Sequence, residues 1–420
     1  MGNLSLIMVM SFLVGFTYVG LRQRSTQEMT TNQAIDMVNR VQMKLITASG
    51  VNRVLDSLTM NSTFLGTMSG TVNFNTTATG TFAATVVNAS TDTSLRGTQV
   101  KITTITTIGT LRDTSWVLLQ YPSFSKFAYI SNADGGIWFI TGDTLRGPVH
   151  TNTYFSMQGT PAFLNSVSSH LTYSSTQPYQ TSGPTNPYFA QTPYWGAPNM
   201  PIPTTIQPQR DSANAAGVVY NHTTAYVQFN NDGTYSTRYA TTGTGSSWVV
   251  NAAPANGVIY VGSPTGSGGT GYNVYVTGTV SGRLTVAAQG NIHITGDLLY
   301  ANDPRVNPGS MDMLGLVAQM DCVLENNIAG GDRTIMAHIL TMNSSSNSAS
   351  NFYNSNYTNI TSDYLTIFGG LAQNHRGAVG QSGTPRTGYL KNYQWDPRLE
   401  QFSPPSYPLA TVLQQLYYWE

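Results

Sequence analysis

The sequence predicts an α+β chain, with a long N-terminal α-helix followed by a mostly β body that includes a right-handed parallel β-solenoid. Residues 4–21 form an uncharged hydrophobic run that leads into an apolar periodicity of helical spacing, with no proline before Met60. After Met60 the composition turns to Thr, Asn and Gly with period-two alternation. From Gly257 onward short apolar strands recur at intervals of roughly twenty residues or more, with few helical patterns between them.

Composition sets the outer bounds. A chain of 420 residues implies two or three folded units. Only 9% of residues are charged, so the surface is polar but mostly uncharged. Nineteen basic residues balance nineteen acidic ones and cluster nowhere, which excludes a nucleic-acid-binding role. Order is still expected, because 24 Tyr, 15 Phe and 6 Trp supply the apolar area for a core. The single cysteine, Cys322, rules out an internal disulfide framework and a multi-cysteine zinc site, and its apolar flank marks a buried, inert thiol.

The helix comes first. Leu4 to Leu21, LSLIMVMSFLVGFTYVGL, carries no charge over eighteen residues, which is the length at which an apolar run reads as membrane-spanning; Arg22 and Arg24 end it. No basic leader, short apolar core or small-residue cleavage site marks it as an ordinary signal peptide. Beyond Arg24 an apolar stripe of Ile35, Val38, Val41, Leu45, Ala48, Val51, Leu55 and Leu58 continues the helix. A helix of about 55 residues is roughly 80 Å long. On hydropathy alone, an assembly stalk and an anchor for an exported surface domain fit equally well.

The segments GNLSLIMVMSFLVGFTYVGLRQRSTQE and NQAIDMVNRVQMKLITASGVNRVL resemble the N-terminus of PilX-like members of the type IV pilin family. The resemblance covers the first sixty residues. It implies a pilin-type helix, cleavage by a prepilin peptidase after Gly2 with Asn3 as the new N-terminus, and passage through the inner membrane before assembly. The implied filament core is Leu4, Leu6, Ile7, Val9, Phe12, Leu13, Val14, Phe16, Val19 and Leu21. Major pilins of that family carry a Glu five residues into the mature chain. Here Ile7 takes that position after cleavage at Gly2, and Ser5 takes it if Met1 is the mature start. PilX-like proteins also lack the acid, and Ser11, Gly15 and Gly20 are the expected helix contacts in its place.

The body follows in order. Residues 61–170 read as a β-rich region, with TVNFNTTATGTFAATVVN and TQVKITTITTIGTL as successive strands and Trp116 to Leu119 as a more deeply buried one. Residues 171–210 hold eight prolines among Tyr, Gln and Ser, which marks an extended insertion. Residues 211–400 carry the solenoid pattern, and 401–420 form a Pro/Tyr-rich C-terminal segment. A β-sandwich uses similar strands but shows Asn-Gly or Asp-Gly hairpin turns more often. GPVHTN at Gly147 to Asn152, the stretch Ser281 to Pro304, MLGLVAQ at Met313 to Gln319 and the stretch Gln373 to Leu399 resemble an uncharacterised domain of bacterial cell-surface proteins, found joined to PilX-like N-termini.

Chemistry finds little support. A solenoid enzyme would need paired carboxylates, and the candidates are Asp297, Asp303, Asp312 and Asp321. Asp297 and Asp303 sit in turn contexts, and the other two flank a strand. His150, His170, His222, His293, His338 and His375 show no paired metal spacing. No phosphate loop, nucleophile elbow or SxxK pair is present. Neither catalysis nor a cofactor or metal is therefore expected. Asn61, Asn75, Asn88, Asn221, Asn343, Asn356 and Asn359 stand in glycosylation sequons.

The sequence thus leads to a structural subunit of a type IV pilus-like extracellular filament. Its expected partners are many copies of itself, the inner membrane before assembly, the pilus assembly machinery and prepilin peptidase, and surface glycans. The alternative is a membrane-anchored adhesin or glycan-binding β-solenoid, with Tyr194 and Trp195 stacking on sugars.

Overall fold

The computed structural model describes residues 2–419 apart from 62–63, 75–78, 93, 96–97, 135, 240–245, 268, 270, 326–330, 345–348 and 411–412; side chains at 2–7, 59, 361–363, 414–415 and 418–419 also lie outside the description. The chain divides into two compact units, Met1–Tyr121 with Val412–Glu420, and Pro122–Thr411.

In the first unit, α1 spans Gly2–Met60. Four antiparallel strands follow: β1 (Gly66–Asn73), β2 (Thr79–Asn88), β3 (Gln99–Ile108) and β4 (Leu111–Gln120). The C-terminal strand Gln414–Trp419 pairs with the outer edge of β4, completing a five-stranded sheet. Alternation sends Phe82, Ala84 and Val86 of β2, Val100 and Ile102 of β3, and Val117 and Leu119 of β4 into the core. Trp116 and Leu118 stay half-buried on the other face, so burial alternates along the segment expected to be more deeply buried.

The helix packs on this sheet through Met43, Ile46, Thr47, Gly50, Val54 and Leu58. Those positions recur at three and four, so they share one face. Of the apolar stripe that continues the helix, Ile35, Val38, Val41 and Leu45 are exposed, Val51 and Leu55 flank the contact, and Leu58 is fully buried. Close approach explains the choice of face. A Cβ on Gly50 would stand 2.8 Å from Phe82, and the Thr47 and Thr106 hydroxyls bond at 2.8 Å across the interface. Small residues let the backbone come near the sheet, and an all-Val/Leu stripe does not.

Among the described residues the second unit holds a 22-stranded mixed sheet and a two-stranded one that pairs Ser156–Gly159 with Gln180–Thr185. Its main parallel ladder runs Val218–Tyr220, Val258–Val261, Arg283–Ala288, Met313–Ala318, Arg333–Thr341, Thr361–Arg376. The ladder then passes to Tyr129–Ala133, Val149–Thr151, Val167–Ser169 and Tyr194–Trp195. In register, Ile259, Val286, Leu316, Ile339, Leu371, Tyr129, Val149 and Val167 stack into one core column. Tyr260, Ala287, Val317, Leu340, Ala372 and Ile130 line the opposite face, where they form a second core with Ile202, Ile206, Ala213 and Tyr407. Burial on both faces explains why these strands read as unbroken apolar runs.

The expected right-handed parallel solenoid over 211–400 is therefore corrected. The sheet is mixed: Thr224–Phe229, Thr234–Tyr239 and Val249–Ala252 form antiparallel pairs, as do Gly380–Gln381 and Thr387–Trp395. Nor does the ladder follow the chain, since residues 129–195 add beyond 361–395. The physical cause is the sixteen-residue strand Thr361–Arg376, which pairs with Arg333–Thr341, Thr387–Trp395 and Tyr129–Ala133 at different points along its length. Gly369, at φ +139°, permits its tight passage, since a Cβ there would meet the Ala337 backbone carbonyl.

Asn and Asp side chains tie successive strands at the corners. Asn291 N donates to Asn273 Oδ1 at 2.8 Å, Asp321 N to Asn291 Oδ1 at 3.0 Å, and Asn351 N to Asp321 Oδ1 at 3.0 Å. At another corner Asn132 donates to Asn374 Oδ1, Asn152 donates to Asn132 Oδ1, and Met200 N donates to Asn152 Oδ1. Each satisfies a polar group at a turn that no ladder bond reaches.

Residues 171–210, expected as an insertion, contribute the last strands of the ladder, Tyr188–Phe189 and Tyr194–Trp195. Phe189 stacks on Phe163 at 5.3 Å, with Tyr179 and Trp195 beside it, which closes the core at that end. Pro184, Pro187, Pro193 and Pro198 offer no N–H to a further strand. At the opposite end, α2 (Gln207–Ala216) packs Ala213 against the core beneath Val258 and Tyr260.

Candidate functional site

The polar candidates are occupied by structural work. Asp312 accepts from Gly282 N and Asn302 N, each at 2.7 Å, and Asp321 belongs to the corner chain above. Asp297 accepts from Thr334 N and lies 3.6 Å from Arg333. Asp303 is clamped by Arg305 at 2.7 Å, which holds its carboxyl below the usual range. These four carboxylates thus serve turns and strand ends, and none forms a facing acid/base pair with another.

The histidines are likewise placed. His338 is buried between the Tyr407 hydroxyl (2.6 Å) and the Phe127 carbonyl (3.0 Å), and burial holds it down to about 3. His150 lies between Ser168 and Asn152 and is held down to about 4, chiefly by burial. His170 bonds the Ala197 carbonyl, and His222 stacks on Tyr239. His293 stacks on Tyr275 at 4.4 Å and meets Glu325 at 2.7 Å. His375 lies in the long strand, opposite Asn351. Cys322 is buried, and burial pushes its thiol up, which leaves it unreactive. Among the described residues no group of three or more His, Cys, Asp or Glu side chains is arranged to hold a metal ion.

The sequence did not disclose the buried ion pairs. Lys391 Nζ sits 2.7 Å from Asp143, and Arg376 lies 3.8 Å from Asp134 with its guanidinium 3.4 Å from the Phe139 ring centroid. Burial raises Asp134 and lowers Lys391, the ordinary response of charges removed from water. They stand between strands distant in the chain, so no local motif marks them.

Among the described residues, the apolar side chains of the first part of α1 face solvent. Met8, Val9, Met10, Phe12, Leu13, Val14, Phe16, Tyr18, Val19 and Leu21 are between 53% and 77% exposed, on every side of the helix. Leu4, Leu6 and Ile7, with Gly2 and Asn3, lie in α1, but their side chains fall outside the described residues. Ile35, Val38, Val41 and Leu45 extend the apolar surface as a stripe. A Cβ at Gly15 or Gly20 would meet nothing within 4 Å, so no contact within the chain requires either glycine. Among the described residues no helix is long and apolar enough to cross a membrane.

Of the other surface candidates, Tyr194 is 61% exposed while Trp195 packs towards the core. Asn61, Asn221 and Asn359 are exposed, whereas Asn88, Asn343 and Asn356 are half-buried. Asn88 Oδ1 is engaged by Ser90, and Asn75 lies outside the described residues.

Comparison with known proteins adds the following. Residues 71–171 match a family described as "Domain of unknown function (DUF4900)", less than half of the chain. Gly147 to Asn152 falls inside that match, and the other body motifs fall outside it. No curated protein matches. Among solved structures, the competence-associated pilin ComZ from Thermus thermophilus is similar at 11% identity over 90% of this chain and 96% of that one, with a TM-score of 0.36. That superposition is too loose to bear on mechanism. The first unit is a long N-terminal helix whose C-terminal part packs on an antiparallel sheet.

Proposed function

We propose that this chain is a structural subunit of a type IV pilus-like extracellular filament, polymerising through its N-terminal helix. The observation that carries the reading is the exposure of the apolar side chains from Met8 to Leu21, continued by Ile35, Val38, Val41 and Leu45. Gly15 and Gly20 support it, because glycine inside a helix costs about 1 kcal/mol. Small residues are retained where another helix must come close. Covering the first part of α1 with neighbouring copies removes on the order of 1,000 Å² of apolar surface, about 25 kcal/mol gross. That exceeds the roughly 4–15 kcal/mol lost to association.

In this reading the apolar segment resides in the inner membrane before assembly, prepilin peptidase cuts after Gly2, and the filament stands on the cell surface. The chain does no chemistry. The test is electron microscopy of sheared surface material, combined with copies carrying Phe12→Cys and Phe16→Cys. Helical filaments whose subunits cross-link through these positions are expected. Isolated single copies, with no filament and no cross-link, would overturn the reading.

A further inference from the structure

Among the described residues, the two ends of the second unit's main ladder are covered. Prolines and aromatic side chains close the end at 184–198, and α2 packs at the other. The hairpin strand Val249–Ala252 is different. It pairs along one edge with Thr234–Tyr239, and among the described residues no strand pairs with its other edge. Trp248, Val249 and Val250 are 44%, 54% and 66% exposed. Adjacent residues of a strand point to opposite faces, so both faces of this strand are apolar and in water. No charge, proline or bulge interrupts Trp248 to Ala252, and these are the devices by which edges are normally blunted.

We propose that the free edge of Val249–Ala252 is an assembly contact that takes the free edge of β1 from a second copy of this chain. The proposal rests on the filament reading above. The matching edge is on the page. β1, GTMSGTVN, pairs only with β2 among the described residues; it carries no charge, and its residues are mostly exposed. Two uncharged edges meet without burying an unpaired ion, whereas a charged partner strand would be penalised. Strand addition pairs the N–H and C=O groups that each edge leaves open. A contact between two different edges is heterologous, so it propagates along a filament instead of closing a dimer.

Hydrogen exchange of full-length protein tests this, with the assembled filament compared against subunits dispersed in detergent. Amides of residues 249–252 and 66–73 are expected to slow together by roughly tenfold or more on assembly. Val250→Lys, on an exposed position that leaves the fold intact, is expected to raise the subunit concentration needed for filaments by about tenfold. Filaments held by the helix in which these amides exchange as fast as in dispersed subunits, or in which Val250→Lys changes nothing, overturn this contact alone. Absence of any filament overturns both readings.

Discussion

Acid should unfold the second unit through His338, and the size of the effect follows from its surroundings. The ring is 1% exposed. Nε2 faces the Phe127 carbonyl, which can only accept, so Nε2 carries the hydrogen; Nδ1 therefore accepts from the Tyr407 hydroxyl. A second proton on Nδ1 would remove that acceptor and bury a cation, which is why burial holds the group down to about 3 from 6.5. Between those values the unfolded chain binds a proton that the folded chain refuses, so stability falls as pH falls, by about 1.4 kcal/mol per pH unit. Above 6.5 the contribution is constant. His150, held down to about 4, adds a similar slope from 6.5 downward. Asp134 acts in the opposite sense, because its raised carboxyl takes up a proton more readily in the folded state and offsets part of the loss. Urea unfolding of the full chain at about pH 7, 6 and 5, followed by tryptophan fluorescence, measures the slope. His338→Gln should lose less per pH unit than the wild type, by about 1.4 kcal/mol. Parallel pH profiles for the two proteins would refute the reasoning.

Other substitutions probe the packing. Ile46→Ala, at a fully buried contact between α1 and the sheet, should cost about 2–5 kcal/mol in the first unit, read from its urea midpoint. Lys391→Met leaves the Asp143 carboxylate buried without its counter-charge and should cost about 3–5 kcal/mol; adding Asp143→Asn should restore much of that, and a double-mutant cycle without coupling would contradict the pairing. Asn132→Ala removes both bonds of the middle rung at its corner and should cost about 1–3 kcal/mol, with faster amide exchange at Asn152 and Met200 as the local readout.

Much of the first unit was legible in the sequence because its information is local. An uninterrupted helix lacks proline, and β2 and β3 alternate because one face is buried. The apolar stripe showed that the helix continues but not which face packs: Gly50 and Thr47 face the sheet, while Leu45 and Val41 are exposed. In the second unit individual strands were visible as apolar runs, but their partners were not. Nothing near Tyr129 announces pairing with Leu371, and nothing near Asp143 announces Lys391. The prolines of 171–210 pointed to an extended insertion, yet the same lack of N–H groups suits a segment that ends a ladder. The exposed apolar part of α1 was the feature most readable from residues, since hydropathy needs no tertiary context.

The order of the ladder also governs when the second unit can form. Tyr129–Ala133 leaves the ribosome early, but its preceding neighbour in the sheet, Leu371 to His375, follows about 240 residues later. At 5–20 residues per second that interval is roughly ten to fifty seconds. Throughout it, residues 129–195 are a nascent segment with one strand edge waiting, and contacts of such long sequence separation close slowly. Of the strands in this ladder, the one synthesised last, Thr361–Arg376, is the one that pairs with the first, Tyr129–Ala133.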